Sequence, residues 1–385
     1  MSRIVPADRN RALDGLRGLA ALSVVTFHVW DYARPVPHAT FQSASDYVMN
    51  EGRLGLVLFF VLSGFLLYRP WVSAALSGAA RPRHRAYLIR RVARIVPAYY
   101  LALVGSVALL WGAAGTPGVR LPPATALPLF AVFAQNFSPS ALLTLDPPTW
   151  TLSIEASFYL VLPLVGLAAA RLGSSRWNQV APPIAIIAAG LAWNRLTGLA
   201  EPFDKALPAA LPYFGAGMLV AVLANGRAIA PRTARWLLLG GIGAVVLDGA
   251  LHEGMVPPAV EPLVSGTLRD LPAAAGFAAV VAAVAYGEAR AAWASWTPLV
   301  ALGTISYGVY LWHLPLLLAL RSANALPLEL IPALAVVLPA TVMVATASWF
   351  GLERPMIRWA SRVTRRPAEH GERRAQRPTL AEGRA

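Results

Sequence analysis

The sequence predicts an all-α, polytopic membrane protein with about ten transmembrane helices and one re-entrant segment. Of its 385 residues, 57% are hydrophobic and only 14% are charged, whereas a soluble domain averages about 25% charged residues. The mean hydropathy of +0.54 agrees with this, and the apolar residues form stretches close to the ~20 residues that a membrane helix needs. These observations exclude an ordinary soluble globule and a disordered chain.

Ten apolar stretches are predicted to cross the membrane. In chain order they are 16–33, 54–68, 92–111, 151–170, 180–197, 206–224, 236–251, 268–286, 299–320 and 331–352. An eleventh apolar piece, residues 125–137, is short and flanked by prolines. It either crosses the membrane or dips into it and returns.

The distribution of basic residues decides between these two paths, because Lys and Arg concentrate in cytoplasmic loops. With a cytoplasmic N-terminus and a re-entrant 125–137, 26 of the 33 basic residues lie inside and 7 outside. If 125–137 crosses, the split becomes 15 inside and 18 outside. We therefore predict ten crossings of a cytoplasmic membrane with both termini in the cytoplasm. Because irregular backbone at membrane depth lines a cavity or is buried in protein, the re-entrant piece makes Asn136 a candidate site residue.

Composition also bounds the domains and the chemistry. We expect a membrane domain over 1–366 and a disordered cytoplasmic tail over 367–385, which is rich in Arg and Glu. The chain has no cysteine, which excludes disulfides, iron–sulfur clusters and cysteine nucleophiles. The net charge is +14, but the basic residues form no aromatic-interleaved stripe, so we expect a lipid bilayer and no nucleic acid as partner.

The first span carries three ionisable residues that suggest function. Asp14 and Arg17 are three residues apart and can pair at the cytoplasmic mouth. His28 follows Arg17 by eleven residues, which on a helix is three turns and about 16 Å along nearly the same face. The alternative for His28 is a hydrogen-bonded core histidine. An ionisable group inside a span is nevertheless a functional hypothesis in its own right.

Three arginines crowd the cytoplasmic start of the third span. Arg91 and Arg94 share a helix face, and Arg90 lies one turn before Arg94. Arginine binds phosphate bidentately, although simple topological anchoring is the alternative. In the second span Ser63 and Gly64 interrupt a very apolar run. They indicate either close helix packing or close approach of a ligand to the backbone.

Two further spans contain candidate acid–base groups. Glu155, with Ser153 beside it, lies about one turn into the outer end of the fourth span. His313 lies in the outer half of the ninth span, with Tyr310 one turn before it. We thus predict that His28, Glu155 and His313 meet in the outer half of the membrane, above an arginine cluster at the inner mouth. This depth suits a long donor with a phosphorylated head, such as an acyl-CoA thioester.

These residues lie in motifs by which the chain resembles the acyltransferase-3 family of bacterial integral-membrane O-acyltransferases. The matching pieces are LDGLRGLAALSVVTFHV at 13–29, FFVLSGFL at 59–66, YLIRRVARIVPAYY at 87–100, AQNF at 134–137, TWTLSIEASFYLVLPL at 149–164, ISYGVYLWHLPLL at 305–317 and ERP at 353–355. The resemblance implies transfer of an acyl group, usually acetyl, from cytoplasmic acyl-CoA to a hydroxyl of a carbohydrate or glycoside on the outer side. The family's arginine–histidine pair falls on Arg17 and His28, its basic pair on Arg91 and Arg94, and its glutamate on Glu155. We identify no motif of the family in residues 171–290, and we expect this region to shape acceptor specificity.

The resemblance implies a mechanism with several alternatives. His28 acts either as general base on the acceptor hydroxyl or as a transient acyl carrier, and Glu155 or His313 orients it. Asn136 and Ser63 are candidate oxyanion donors. No metal and no permanently bound cofactor are expected. The rival interpretations are a transporter, which intramembrane ionisable groups also suit, and a structural membrane protein.

Overall fold

The computed structural model describes residues 10–34, 43–252, 260–287 and 292–365, and these parts are helical without a β-strand. The predicted tail at 367–385 lies outside the described residues. The α-helices are α1 (Arg11–Tyr32), α2 (Ala44–Asn50), α3 (Gly55–Ser77), α4 (His84–Leu110), α5 (Leu127–Ala131), α6 (Trp150–Ala170), α7 (Arg176–Thr197), α8 (Leu207–Leu223), α9 (Pro231–His252), α10 (Glu261–Gly266), α11 (Leu271–Tyr286), α12 (Thr297–Thr304), α13 (Ser306–Ser322), α14 (Leu330–Ser348) and α15 (Arg354–Val363). The predicted all-α membrane architecture is therefore confirmed.

The number of membrane spans is seven to eight by length and hydropathy, against the predicted count of about ten. Seven described helical segments are long and apolar enough to cross, and the pair α12–α13, bent by 76°, makes an eighth if it is one span. The other two predicted spans are also helical. They fall on α7, which is not among the segments that meet both criteria, and on α11, a shorter apolar helix of 16 residues.

The re-entrant piece does not form a span. Its longest helix, α5, has five residues and is followed by a single 3-10 turn, Gln135–Phe137. At 1.5 Å per residue, five residues rise about 7.5 Å, far less than the ~30 Å hydrocarbon core. Gln135 and Asn136 are buried within protein, as irregular backbone at this depth requires.

Local sequence fixes where α1 begins and how closely it packs. Asn10 caps the helix by accepting hydrogen bonds from the backbone N–H groups of Ala12 and Leu13, at 3.1 and 3.3 Å. A side chain on Gly303 of α12 would place its Cβ 1.7 Å from the carbonyl oxygen of Asp14. The missing side chain therefore lets α12 and α13 bring their residues against the face of α1 that carries Arg17.

A second close contact joins α3 to α8. A Cβ on Gly64 would lie 2.1 Å from the carbonyl oxygen of Phe214, and one on Gly217 would lie 1.9 Å from that of Val61. Both positions are buried, and backbone meets backbone there. Gly64 thus serves helix packing, which is one of the two roles that the sequence allowed.

Candidate active site

A cavity of about 720 Å³ opens between α1, α3, α4, α6 and α13. We call it the arginine cavity because four arginines line it. Its polar and aromatic lining comprises Asn10, Asp14, Arg17, Phe59, Ser63, Arg69, Arg91, Arg94, Thr151, Glu155, Tyr159, Ser306, Tyr307 and Tyr310. Four guanidinium groups against the two carboxylates of this set leave a net positive charge. Such a cavity favours a phosphorylated ligand.

Arg91 has the environment expected of a ligand-binding arginine. Its guanidinium carbon lies 5.9 Å from the ring centroids of both Tyr87 and Tyr159, so the two rings limit its position. Its Nε is buried and has no hydrogen-bond partner among the described residues. A buried donor without a partner costs about 1–3 kcal/mol, and an anion entering the cavity would remove that cost.

Glu155 lies in the wall of the arginine cavity. The hydroxyl of Tyr159 donates to its Oε2 at 2.5 Å, and the hydroxyl of Ser63 lies 3.5 Å from its Oε1. The sequence predicted Glu155 at the depth of the histidines. The structure places it with Arg91 in the arginine cavity, which His28 does not line.

A second cavity, of about 230 Å³, contains the first predicted catalytic residue. We call it the histidine cavity. Its polar and aromatic lining comprises Phe27, His28, Asp31, Tyr32, Arg53, Arg120, Trp150 and Tyr310. Aromatic rings lie beside hydrogen-bonding groups in this cavity, a combination that suits a ligand with both apolar surface and hydroxyl groups.

His28 and His313 contact each other across α1 and α13. His313 is fully buried, and its Nε2 lies 3.1 Å from Nδ1 of His28. Nδ1 of His313 lies 2.7 Å from the carbonyl oxygen of Tyr310 and 3.2 Å from that of Val309. Nδ1 of His28 also lies 3.0 Å from the carbonyl oxygen of Val24.

These contacts assign the tautomers of both neutral rings. Carbonyl oxygens only accept hydrogen bonds, so Nδ1 of His313 carries the proton and its Nε2 carries a lone pair. That lone pair and the Val24 carbonyl both require a proton on Nδ1 of His28. The basic lone pair of His28 is therefore on Nε2, the arrangement that a second group commonly imposes on a catalytic imidazole.

Tyr310 separates the two cavities. It lines both of them, and its hydroxyl is held 2.8 Å from Oγ1 of Thr151 and 2.9 Å from the carbonyl oxygen of Pro148. His313 follows one turn later on the same face of α13. One helix therefore supplies both the partition and the partner of His28.

Arg17 lines the arginine cavity and His28 lines the histidine cavity. Asp14, Ser63, Arg91 and Arg94 join Arg17 in the arginine cavity. The candidates thus form two adjoining groups rather than one.

Besides Gly64 and His313, which are described above, three candidates line neither cavity. Nε of Arg90 donates to Oγ1 of Thr364 at 2.8 Å, beside a third cavity of about 400 Å³. The amide of Asn136 donates to the carbonyl oxygens of Trp150 and Lys205, each at 2.8 Å, so it braces the start of α6. Ser153 is buried and lines neither cavity.

Several residues that line or adjoin the cavities were missed from the sequence. Arg69, Asp31, Arg120 and Asp146 are not among the residues that the sequence analysis singles out. Arg69 follows Ser63 by six residues on α3, a rotation of about 240° about the helix axis, so helical spacing does not place the two on one face. Arg120 lies in a loop with no such periodicity. Burial raises the pKa of the Asp146 carboxyl well above 3.8, and neither of its carboxylate oxygens has a hydrogen-bond partner in the described parts of the chain.

Comparison with known proteins agrees with this architecture. A family model described as an acyltransferase domain, that of the acyltransferase-3 family, matches residues 10–350. No solved structure matches the chain significantly.

Several known proteins are similar to this chain over most or part of its length. A protein of Komagataeibacter xylinus named as membrane-bound transacylase BcsY is 28% identical over 80% of this chain and 73% of its own length. A Bacillus subtilis protein named as peptidoglycan O-acetyltransferase YrhL is 26% identical over 89% of this chain and 54% of its own length. Acyltransferase MdmB of Streptomyces mycarofaciens is 30% identical over 40% of this chain and 38% of its own length. On the family match, which covers most of its length, this chain belongs to the acyltransferase-3 family.

Proposed function

We propose that the protein is a membrane O-acyltransferase that moves an acyl group, acetyl foremost, from acyl-CoA to a hydroxyl of a glycan or glycosylated small molecule. One observation carries the proposal. A cavity with four arginines and a cavity with a paired histidine share Tyr310 as a common wall. The charge of the first suits a phosphorylated donor, and the chemistry of the second suits activation of a hydroxyl.

The donor enters the arginine cavity, with its phosphates at Arg17, Arg91 and Arg94. Charge-assisted contacts with phosphate contribute roughly 1.5–3 kcal/mol each. The thioester then extends toward Tyr310, and the ~16 Å between Arg17 and His28 along α1 is a distance that a pantetheine arm can span. CoA is a substrate here, released after each turnover.

His28 acts as the general base. Its Nε2 takes the proton of the acceptor hydroxyl while the hydroxyl oxygen attacks the thioester carbonyl carbon. The tetrahedral intermediate collapses, the carbon–sulfur bond breaks, and the CoA thiolate takes the proton from Nε2. His313 holds Nδ1–H of His28 throughout, so Nε2 alone exchanges protons. A positioned base of this kind contributes about 10²–10⁴ in rate.

The two cavities serve opposite sides of the membrane in this proposal. The distribution of basic residues supports a cytoplasmic membrane location with both termini in the cytoplasm and the arginine cavity on the cytoplasmic side. The histidine cavity then receives an extracytoplasmic acceptor. Its lining of Tyr32 and Trp150 beside Asp31 supports a carbohydrate as the acceptor. The name of the Bacillus relative, a peptidoglycan O-acetyltransferase, supports a cell-envelope glycan.

The test uses sealed proteoliposomes that contain the purified chain. Acetyl-CoA is supplied on one side and a panel of soluble glycans and glycosides on the other. We expect acetyl ester to form on the acceptor side with one molecule of free CoA released per ester. Transport of acceptor or donor without thiol release would contradict the proposal and favour a transporter.

A further inference from the structure

A second polar cluster lies where α9 ends and α11 begins. It consists of Asp248 and His252 on α9 and of Asp270 directly before α11. One ligand atom from each of these residues lies within 4.8 Å of the other two. Asp248 is fully buried and Asp270 is 7% exposed. None of the three lines the arginine or the histidine cavity, so the mechanism does not use them.

His252 is oriented as metal-binding histidines are. Its Nδ1 lies 2.9 Å from the carbonyl oxygen of Asp248, so that nitrogen carries the proton and Nε2 carries the lone pair. Nε2 faces Oδ1 of Asp270 at 3.7 Å, which is too long for a hydrogen bond. It is buried and has no hydrogen-bond partner among the described residues. A lone pair directed at a carboxylate is repulsive unless a proton or a metal cation lies between them, and the metal is the alternative that we test below.

Asp248 provides a second, independent sign of a cation-binding site. Its Oδ1 accepts from the backbone N–H of Ala273 at 3.3 Å. Its Oδ2 is buried, lies 3.5 Å from Nδ1 of His252 and has no hydrogen-bond partner in the described parts of the chain. Burying a carboxylate oxygen without a partner is costly, and coordination to a cation removes that cost.

Asp270 is paired with Arg53. A guanidinium nitrogen of Arg53 lies 2.5 Å from Oδ1 of Asp270. Oδ1 is shared with Arg53, which leaves Oδ2 for a further contact. Nε of Arg269 lies 3.9 Å from Oδ2, beyond hydrogen-bonding distance.

We propose that Asp248, His252 and Asp270 bind a divalent transition-metal ion, with Zn²⁺ as the best match. One imidazole nitrogen and two carboxylate oxygens form a zinc ligand set, and three protein ligands leave a fourth position for water. Tetrahedral bonds of about 2.0–2.2 Å place the ligand atoms about 3.3–3.6 Å apart. The ligand atoms of the cluster lie within 4.8 Å of one another, so the side chains must move closer together when the ion binds.

The ion links segments that are distant in sequence. It joins the end of α9 to the start of α11, and through Asp270 it reaches Arg53, which lines the histidine cavity. We therefore assign the ion a structural role that keeps Arg53 in place. The acyl transfer at His28 does not pass through it.

The test measures metal binding by the full chain, purified without an oligohistidine tag and treated with chelator. Zn²⁺ alone is titrated calorimetrically into wild type, Asp248→Asn and His252→Ala. Glu261→Gln and His84→Ala are the matched controls, since Glu261 is exposed on α10 and the His84 ring contacts Trp71, away from the cluster. We expect one Zn²⁺ per wild-type chain with a raised Tm, at least tenfold weaker binding in both cluster variants, and no change in the controls.

Two results overturn the proposal: no Zn²⁺ binding by wild type, or equal binding by the cluster variants. If the cluster variants fail to fold, the visible absorption of Co²⁺ bound to wild type and to His28→Ala replaces the comparison. Absorption typical of a nitrogen-ligated, low-coordinate ion that persists in His28→Ala supports the site. Its absence, or its loss in His28→Ala, assigns the ion elsewhere and rejects the proposal.

Discussion

Nε2 of His313 lies 3.1 Å from Nδ1 of His28, and this contact fixes which nitrogen of His28 is basic. The backbone carbonyls of Val309 and Tyr310 fix His313 in turn. The chain thus builds a relay of two imidazoles in which the buried one orients and the cavity-lining one reacts. A carboxylate commonly has the orienting role in such pairs. Here a neutral ring performs it without introducing a buried charge.

Replacing the orienting ring tests the relay. In His313→Ala, Nδ1–H of His28 keeps the Val24 carbonyl but loses its second acceptor, so the orientation of the reacting ring is less constrained. We expect kcat to fall about 10–100-fold, the usual effect of removing an orienting partner, with the KM for acetyl-CoA unchanged. Steady-state thiol release measures both constants. His84→Ala, whose ring lies against Trp71, should match wild type, and an unchanged kcat in His313→Ala would contradict the relay.

The arginine cavity makes a separate prediction for donor binding. Arg91→Ala removes a guanidinium held between Tyr87 and Tyr159, and a charge-assisted contact of roughly 1.5–3 kcal/mol corresponds to about a 10–150-fold weaker Kd for acetyl-CoA. Equilibrium binding to the purified protein measures this change. Arg358→Ala, on the exposed face of α15, is the charge-matched control. Equally weakened acetyl-CoA binding in both variants would mean that the effect comes from the overall charge of the protein and not from a contact with Arg91.

Tyr310 is predicted to keep donor and acceptor chemistry coupled. In Tyr310→Ala the wall between the cavities opens and water reaches the thioester, so CoA release without acceptor should rise relative to ester formation. In Tyr310→Phe the ring remains and only the bonds to Thr151 and Pro148 are lost, so coupling should persist. The molar ratio of released CoA to ester formed measures this coupling in each variant. Identical ratios in the two variants would show that the ring is not the barrier.

Helical spacing predicted much of the site because α1 and α4 are continuous helices. It placed Arg17 and His28 on one face and Arg91 beside Arg94. It grouped Arg90 with them, although a neighbour in sequence points about 100° away on a helix. Arg90 accordingly bonds Thr364 instead.

The depth of Glu155 could not be derived in the same way. Counting from the start of an apolar run assumes that the helix begins at the membrane surface. Here α6 begins after a 3-10 turn, Pro147–Thr149, in which Pro148 and Thr149 are buried. The start of the helix therefore lies inside the protein, and Glu155 lines the arginine cavity. The cavity roles of Asp31 and Arg120 depend on tertiary contacts that spacing does not encode.

Asp146 gives a prediction about stability and pH. Burial raises the pKa of its carboxyl well above 3.8, so the folded protein binds this proton more tightly than the unfolded chain does. The contribution of Asp146 to the free energy of unfolding is therefore fully present below pH 3.8. It is lost as pH rises from the pKa of the unfolded chain to that of the folded protein. Asp146→Asn removes the ionisation, so its Tm should equal or exceed that of wild type near neutrality and vary less with pH over that interval. A lower Tm at neutral pH would mean that the ionised carboxylate stabilises the fold.

The contact between α3 and α8 is predicted to tolerate no side chain at Gly64. In Gly64→Ala the new Cβ would meet the Phe214 carbonyl oxygen at 2.1 Å, and overpacking of this kind costs about 1–3 kcal/mol. Tryptophan fluorescence during heating should show a lower Tm. Gly112→Ala is the matched control, because its Cβ would meet nothing within 4 Å. A wild-type Tm for Gly64→Ala would contradict the close packing of these helices.

The most direct test of the account measures donor binding and turnover together in His28→Ala. Acetyl-CoA binding and acceptor-dependent CoA release are measured on the same preparation, beside wild type and His84→Ala. The account predicts wild-type donor affinity with turnover reduced about 10²–10⁴-fold, because the arginine cavity remains intact while the base is lost. Wild-type turnover by correctly inserted His28→Ala would contradict the central claim that this imidazole activates the acceptor.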